Sequence, residues 1–329
     1  MEPNPSASLP QVDLPALYEA TDTAAKSHQR KFIASIWAEI GLTVLGAIAL
    51  VLGENPDFVR AVGPVASVQV RGGALLPLSF VTAATLLITA LTLLVRYNRK
   101  PGEKWRQCRF LGERCATLAW RYMMKATDVD LKRGRGPFPP VDDWYLGEIG
   151  ALLLEAKPLD LPDVKKDDQL TQDMTALREA PLSQRFEVYR EQRAINQRDW
   201  YNNRARSFRK YRDVWRVITV LVYFVGAGLV VAHAISPLRN AVPFGLLGAN
   251  YWPLVAAVAS AITGYVAARH YDDLQQTYRY MSGLLTAEID VMRKFNPTTD
   301  PQAEADFAEQ VDRVETLMDA EHKQWHKLV

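Results

Sequence analysis

Ala74–Val95, ALLPLSFVTAATLLITALTLLV, carries no charged residue. At 1.5 Å per residue a helix of that length covers roughly 30 Å, the hydrocarbon thickness of a bilayer. Ile33–Gly53, Val217–Ile235 and Tyr251–Ala268 are three further apolar runs. A length of 329 residues alone would suggest two soluble domains, but these runs override that prior. Between them the chain is highly charged, and its polar part exceeds what four spans need. The expected fold is an all-α membrane protein, with four transmembrane helices as two hairpins and long cytosolic helical extensions. The balance of 39 basic and 37 acidic residues gives no argument for a nucleic-acid partner.

Orientation follows from the basic residues at the span ends. Lys26, Arg30 and Lys31 precede the first span, Arg96, Arg99 and Lys100 follow the second, Arg209, Lys210 and Arg216 precede the third, and Arg269 follows the fourth. The two connecting loops hold only Arg60 and Arg71, and Arg239. Both termini and the long middle segment are therefore expected on the cytoplasmic side. Residues 1–32 show no basic stretch leading into a short apolar core, so the first span is expected to act as an uncleaved anchor.

The chain reads as one plan used twice: a basic helix entering a span, a short outer loop, a returning span, and a cytosolic helix. In one register Arg96 meets Arg269, Trp105 meets Tyr278, Arg106 meets Arg279 and Leu111 meets Leu284. The expected divisions are an entry segment over 1–32, a first hairpin unit over 33–125, a linker over 126–181, and a second hairpin unit over 182–328. Leu182–Ile235 lacks proline, and lacks glycine before Gly226, which predicts one helix of about 50 residues. Tyr251–Phe295 is expected to behave likewise, whereas Pro101-Gly102 predicts a break. Tyr145–Ala156 reads as a short helix. Over Pro301–Leu328, Phe307, Val311, Val314, Leu317 and Met318 make one apolar face.

Thr82, Thr85, Thr89 and Thr92 recur at helical spacing, and Arg96 continues their strip. Two readings stand: close helix packing, with each hydroxyl bonded to its own backbone, or the wall of a water-filled path. Glu39 is the acid within a span. It either pairs with Arg96 or Arg216, or lies at a pore mouth. These six residues are the pore-lining candidates.

Little else suggests chemistry. Cys108 and Cys115 are spaced too far along one helix to pair, and read as small hydrophobes. His322 and His326 have metal-ligand spacing but no accompanying cysteine or HExxH glutamate, so no metal site is expected. The glycine motifs of nucleotide-binding folds and the GxSxG of hydrolases are missing from the sequence. No catalytic residue and no cofactor is assigned, and the chain is expected not to be an enzyme. The loop Lys132, Arg133, Arg135, followed by Trp144, is a candidate anion or nucleotide site; the alternative is a solvated loop touching anionic headgroups.

The segment Met174–Trp215 is the most distinctive. Its Leu177-Arg178, Pro181-Leu182, Arg185, Tyr189, Arg193, Gln197, Trp200-Tyr201 and Ala205 resemble the linking region of bacterial SLATT proteins, the SMODS- and SLOG-associating two-transmembrane effector domains. Glu321 and Trp325 resemble the end of that family's C-terminal helix. The layout is similar to two SLATT units in tandem, roughly 12–125 and 182–328. The resemblance implies a membrane effector of a bacterial antiviral conflict system. Such an effector would homo-oligomerise in the cytoplasmic membrane and disrupt it or form a pore there. It also implies a separate nucleotide-sensing or second-messenger-producing partner. The alternatives are a non-conducting membrane scaffold docking a cytosolic partner, and a small-solute or ion transporter, for which Gly226 and Gly228 are the one hint of a broken helix.

Overall fold

A computed structural model of the chain describes residues 11–53, 76–127, 140–159, 161–162, 169–235 and 252–328. Among them every regular element is helical. In order these are α1 Ala16–Gly53, α2 Leu76–Arg99, α3 Pro101–Met123, α4 Val141–Ala156, α5 Gln172–Glu179 and α6 Leu182–Val188. A π-helical turn, Tyr189–Ile195, then leads into α7, Asn196–Ala234. The chain continues as α8 Trp252–Arg269, α9 Tyr271–Met292 and α10 Pro301–Leu328. The two expected outer loops lie outside the described residues.

Two continuous helices among the described residues are long and apolar enough to cross a membrane, Ala16–Val51 and Leu182–Ala232, against the four spans expected. The other two apolar runs are helical as α2 and α8, of 24 and 18 residues. The long helix predicted from Leu182 is continuous, with a π turn inside it. The expected break before Pro101 is present: Lys100 adopts φ 44°, and α3 starts at the proline, whose missing N–H costs nothing in a first turn.

The single helix expected over Tyr251–Phe295 is corrected. It breaks at His270, at φ 45°, between α8 and α9. No proline marks the place. Asp272 and Asp273 in the first turn of α9 favour a new N-terminus through the helix dipole, and His270 lies 3.5 Å from Asp273. Both α2 and α8 thus end next to a residue in the left-handed region, Lys100 and His270.

The described chain forms two compact units, each drawing on both halves of the sequence. The first comprises Met1–Arg30, Pro101–Arg206 and Gln275–Val329. Here α10 packs its face of Phe307, Val311, Val314 and Met318 along α3, where Cys108, Leu111, Cys115 and Ala119 are buried. Each buried aliphatic or aromatic side chain contributes about 1.5–3 kcal/mol. α4 and α5 also pack on α3. Thr171 caps α5, its hydroxyl accepting from the Met174 N–H at 3.2 Å.

The second unit comprises Lys31–Lys100 and Ser207–Leu274. Much of its surface is apolar: Leu86 is 66 % exposed, Phe224 72 % and Val225 61 %. Its helices meet through glycine. A Cβ on Gly226 would lie 2.6 Å from Val255 Cγ1, and one on Gly46 2.8 Å from Thr85 Oγ1, the close approach typical of helices packed in lipid. α7 passes through Gly226 and Gly228 without a break.

Candidate functional site

In the first unit the residues of Met174–Trp215 that are most distinctive in sequence converge on buried polar partners. Arg178 Nη1 donates to the Tyr122 carbonyl and its guanidinium stacks 4.8 Å from the Tyr122 ring. Arg185, 1 % exposed, donates to the carbonyls of Ala180 and Met124 and grips both oxygens of Glu304, the longer contact at 2.6 Å. Tyr201 donates to Glu321 at 3.1 Å. Trp200 is flanked by Arg109 and Arg204, at 5.5 and 5.6 Å from its ring centroid.

Glu315 of α10 is the centre of this arrangement and is fully buried. It accepts from Arg193 Nε at 3.0 Å and Nη2 at 2.9 Å, from the Tyr189 hydroxyl at 3.0 Å and from the Thr117 hydroxyl at 2.8 Å. Arg193 also lies 3.9 Å from Glu113, which pairs with Arg109 at 2.6 Å. Arg109 stands 3.8 Å from Asp22, which holds Lys26 at 2.5 Å. An alternating chain of charge therefore links α1, α3, the π turn and α10. Burial pulls the Arg193 pKa down, but the charge and hydrogen bonds of Glu315, with Glu113 beyond, more than compensate and hold it above its ordinary value. Burial and then the Glu315 charge push the Tyr189 phenol well up, so it stays a donor. These groups are buried and bonded to one another, and the network can hold helices in register.

The π turn accounts for the spacing of this row. Arg185, Tyr189, Arg193, Gln197, Tyr201 and Ala205 succeed one another at steps of four. On an α-helix each such step overshoots a turn by roughly 40°, and the whole row would wind about 200° around the axis. The wider π turn makes a step of four fall short, which opposes the drift. Arg185, Tyr189, Arg193, Tyr201 and Ala205 are all buried. Sequence reasoning missed Glu304, Glu315 and Glu113. A signal existed: Glu304 and Glu315 sit at helical spacing on the apolar face of α10, where a charge needs a partner.

In the second unit, Glu39 and Arg96 pair at 2.6 Å, each side chain about one-third exposed. Thr82, Thr85, Thr89 and Thr92 form the least exposed face of α2. Thr85 is buried against Gly46, and its hydroxyl bonds the Thr82 carbonyl; those of Thr89 and Thr92 bond the carbonyls of Thr85 and Ile88. The strip thus faces α1, with its hydroxyls engaged by its own backbone. Arg216 is exposed.

Lys132, Arg133 and Arg135 lie outside the described residues, so the anion loop is not assembled; Trp144 is half-buried in α4. The side chains of His322, Trp325 and His326 also fall outside the description. No cluster of metal-binding side chains occurs among the described residues. Two family models match the chain. That of SMODS and SLOG-associating 2TM effector domain 3 matches residues 15–186, more than half its length, and that of SMODS and SLOG-associating 2TM effector domain 1 matches 189–325. No curated protein and no solved structure matches.

Proposed function

The chain belongs to the SLATT family, with two of its domains in tandem, and on that premise we propose a four-span effector that opens a polar path through the cytoplasmic membrane. SLATT domains are two-transmembrane effector domains of conflict and defence systems. In this reading α2 and α8 are the returning spans, both termini are cytoplasmic, and the protein homo-oligomerises. Its trigger comes from a separate nucleotide-sensing or second-messenger-producing protein.

The observation that carries the reading is the Glu39–Arg96 pair at the end of the hydroxyl strip, inside a unit much of whose surface is apolar. A charged pair between apolar helices is costly in lipid and marks functional sites in membrane proteins. The structure then corresponds to the closed state, and opening parts α1 from α2. Water would next meet Thr85, Thr89, Thr92, Arg96 and Glu39, a polar surface for conduction.

A specific observation favours a second reading, a non-conducting scaffold: the threonine hydroxyls are bonded to their own helix, and Thr85 is packed against Gly46. Membrane depolarisation and growth arrest on overexpression distinguish the two. Thr85→Val with Thr89→Val keeps size and removes the hydroxyls. A pore should lose conductance and toxicity while remaining assembled. Equal depolarisation by the wild type and the double variant takes the strip out of the path. A wild type that never depolarises cells or vesicles, even with its partner present, leaves the scaffold.

A further inference from the structure

The second unit carries a tier of rings and, beyond it, a tier of unspent positive charge. Trp37 of α1, Trp215 of α7 and Tyr265 of α8 meet with centroids 4.9 to 6.2 Å apart, so three helices place aromatic side chains at one level. Trp37 is 46 % exposed. Tyr271 extends the tier, its hydroxyl donating to Tyr265 at 3.2 Å. On the charged side of the tier, Lys31 precedes Trp37 by six residues and Arg209-Lys210 precede Trp215 by six and five. Those steps are roughly 8–9 Å along a helix. Arg216 adjoins Trp215, and Arg99 ends α2 beyond Arg96.

These five cations are exposed. Every described acid of the unit is already engaged: Glu39 by Arg96, Asp213 and Asp272 by Arg212, and Asp273 by the neighbouring His270. The described part of the unit holds nine Lys and Arg residues against four acids, so the collar of Lys31, Arg99, Arg209, Lys210 and Arg216 carries positive charge that its own unit does not balance. Rings at the hydrocarbon boundary with cations a few ångströms further out match the order of layers in a leaflet, where headgroup phosphates lie outside the interfacial region.

We infer that this collar binds the headgroups of anionic phospholipids, so that the unit selects an anionic lipid annulus at the end where α7 enters. The inference rests on the reading that this unit spans a bilayer, and it is independent of whether the protein conducts. Four helices contribute to the two tiers, so bound anionic lipid holds them at a common depth. Guanidinium and ammonium groups at a membrane surface draw acidic lipid through charge, and the attraction falls off within a Debye length.

The test uses the full chain in vesicles, with bromine-labelled lipid chains as quenchers of tryptophan fluorescence. Trp37 and Trp215 lie within the aromatic tier. Bromo-phosphatidylglycerol mixed equally with unlabelled phosphatidylcholine should quench more than bromo-phosphatidylcholine in the reciprocal mixture, and high salt should remove the difference. Arg209→Gln, Lys210→Gln and Arg216→Gln together should reduce the preference by up to roughly fivefold per charge. Arg209→Lys with Arg216→Lys should retain it. Equal quenching by the two lipids in the wild type overturns the inference, as does a preference indifferent to salt and to the triple variant. Inorganic phosphate that displaces phosphatidylglycerol, where chloride of equal ionic strength does not, would assign the collar to a free anion instead. A chain that does not enter vesicles at all refutes the membrane reading and this inference with it.

Discussion

Removing Arg193 should be among the costliest single changes in the first unit, and the reason lies in what it leaves behind. Glu315 is fully buried and receives two hydrogen bonds from Arg193, one from Tyr189 and one from Thr117. Arg193→Met keeps an apolar stem but strands the carboxylate with two hydroxyl donors and no charge. Breaking one partner of a buried pair costs about 3–5 kcal/mol. Tyr189→Phe removes one hydrogen bond to a charged acceptor and should cost about 1.5–3 kcal/mol. Glu315→Met strands Arg193 in turn, with Glu113 3.9 Å away as partial relief. The double variant Arg193→Met/Glu315→Met strands neither charge, and loses only the acceptor of two hydroxyls. Its cost should fall below the sum of the two single variants by about 2 kcal/mol or more, since groups in one network couple. Urea unfolding of the full chain in detergent, followed by circular dichroism, measures the cycle. Limited proteolysis within 296–329 reports whether α10 detaches. A cycle additive to within about 0.5 kcal/mol would show that the two side chains do not depend on each other, and would refute the reasoning.

At Gly46 a Cβ would lie 2.8 Å from Thr85 Oγ1, whereas at Gly41 nothing lies within 4 Å. Gly46→Ala should therefore destabilise by about 1–3 kcal/mol while Gly41→Ala stabilises by about 0.5–1 kcal/mol, and Gly46→Ala/Thr85→Ala should recover most of the loss; melts in detergent decide it. Cys108 and Cys115 are both buried, and burial pushes the Cys115 thiol from 9.0 up to about 12. Maleimide near pH 8 should label neither cysteine until urea is added. Because the folded value is the higher one, the contribution of Cys115 to stability is complete below pH 9 and is lost as pH rises towards 12. Labelling of the folded chain would contradict the burial.

How much was legible in the sequence depended on the range of the interactions involved. Uncharged runs long enough for a bilayer, the break at Pro101 and the apolar face of α10 are local patterns, and each appears as a helix, a break or a buried face. The candidate polar residues were harder because a side chain's role depends on its partner. Glu39 and Arg96 are 57 positions apart, and no periodicity connects them. Arg193 and Glu315 are 122 apart. Each nevertheless left a local mark: a carboxylate inside an apolar run or face, where an unpaired charge is too costly to keep. The steps of four from Arg185 to Ala205 left another. An α-helix cannot hold such a row on one face, so a buried row at that spacing requires the helix to be underwound and widened, and the π turn at Tyr189–Ile195 is the form that requirement takes. A π turn survives only where its surroundings hold it, and here Tyr189 and Arg193, four residues apart within it, both bond the one carboxylate of Glu315. The π turn belongs to the helix that continues into the apolar run of α7. Releasing Glu315 would remove what holds the turn open. Relaxation of the turn to regular α geometry would rotate residues 196–206 relative to α6, so Tyr189 and Arg193 mark the point where Glu315 fixes that rotation.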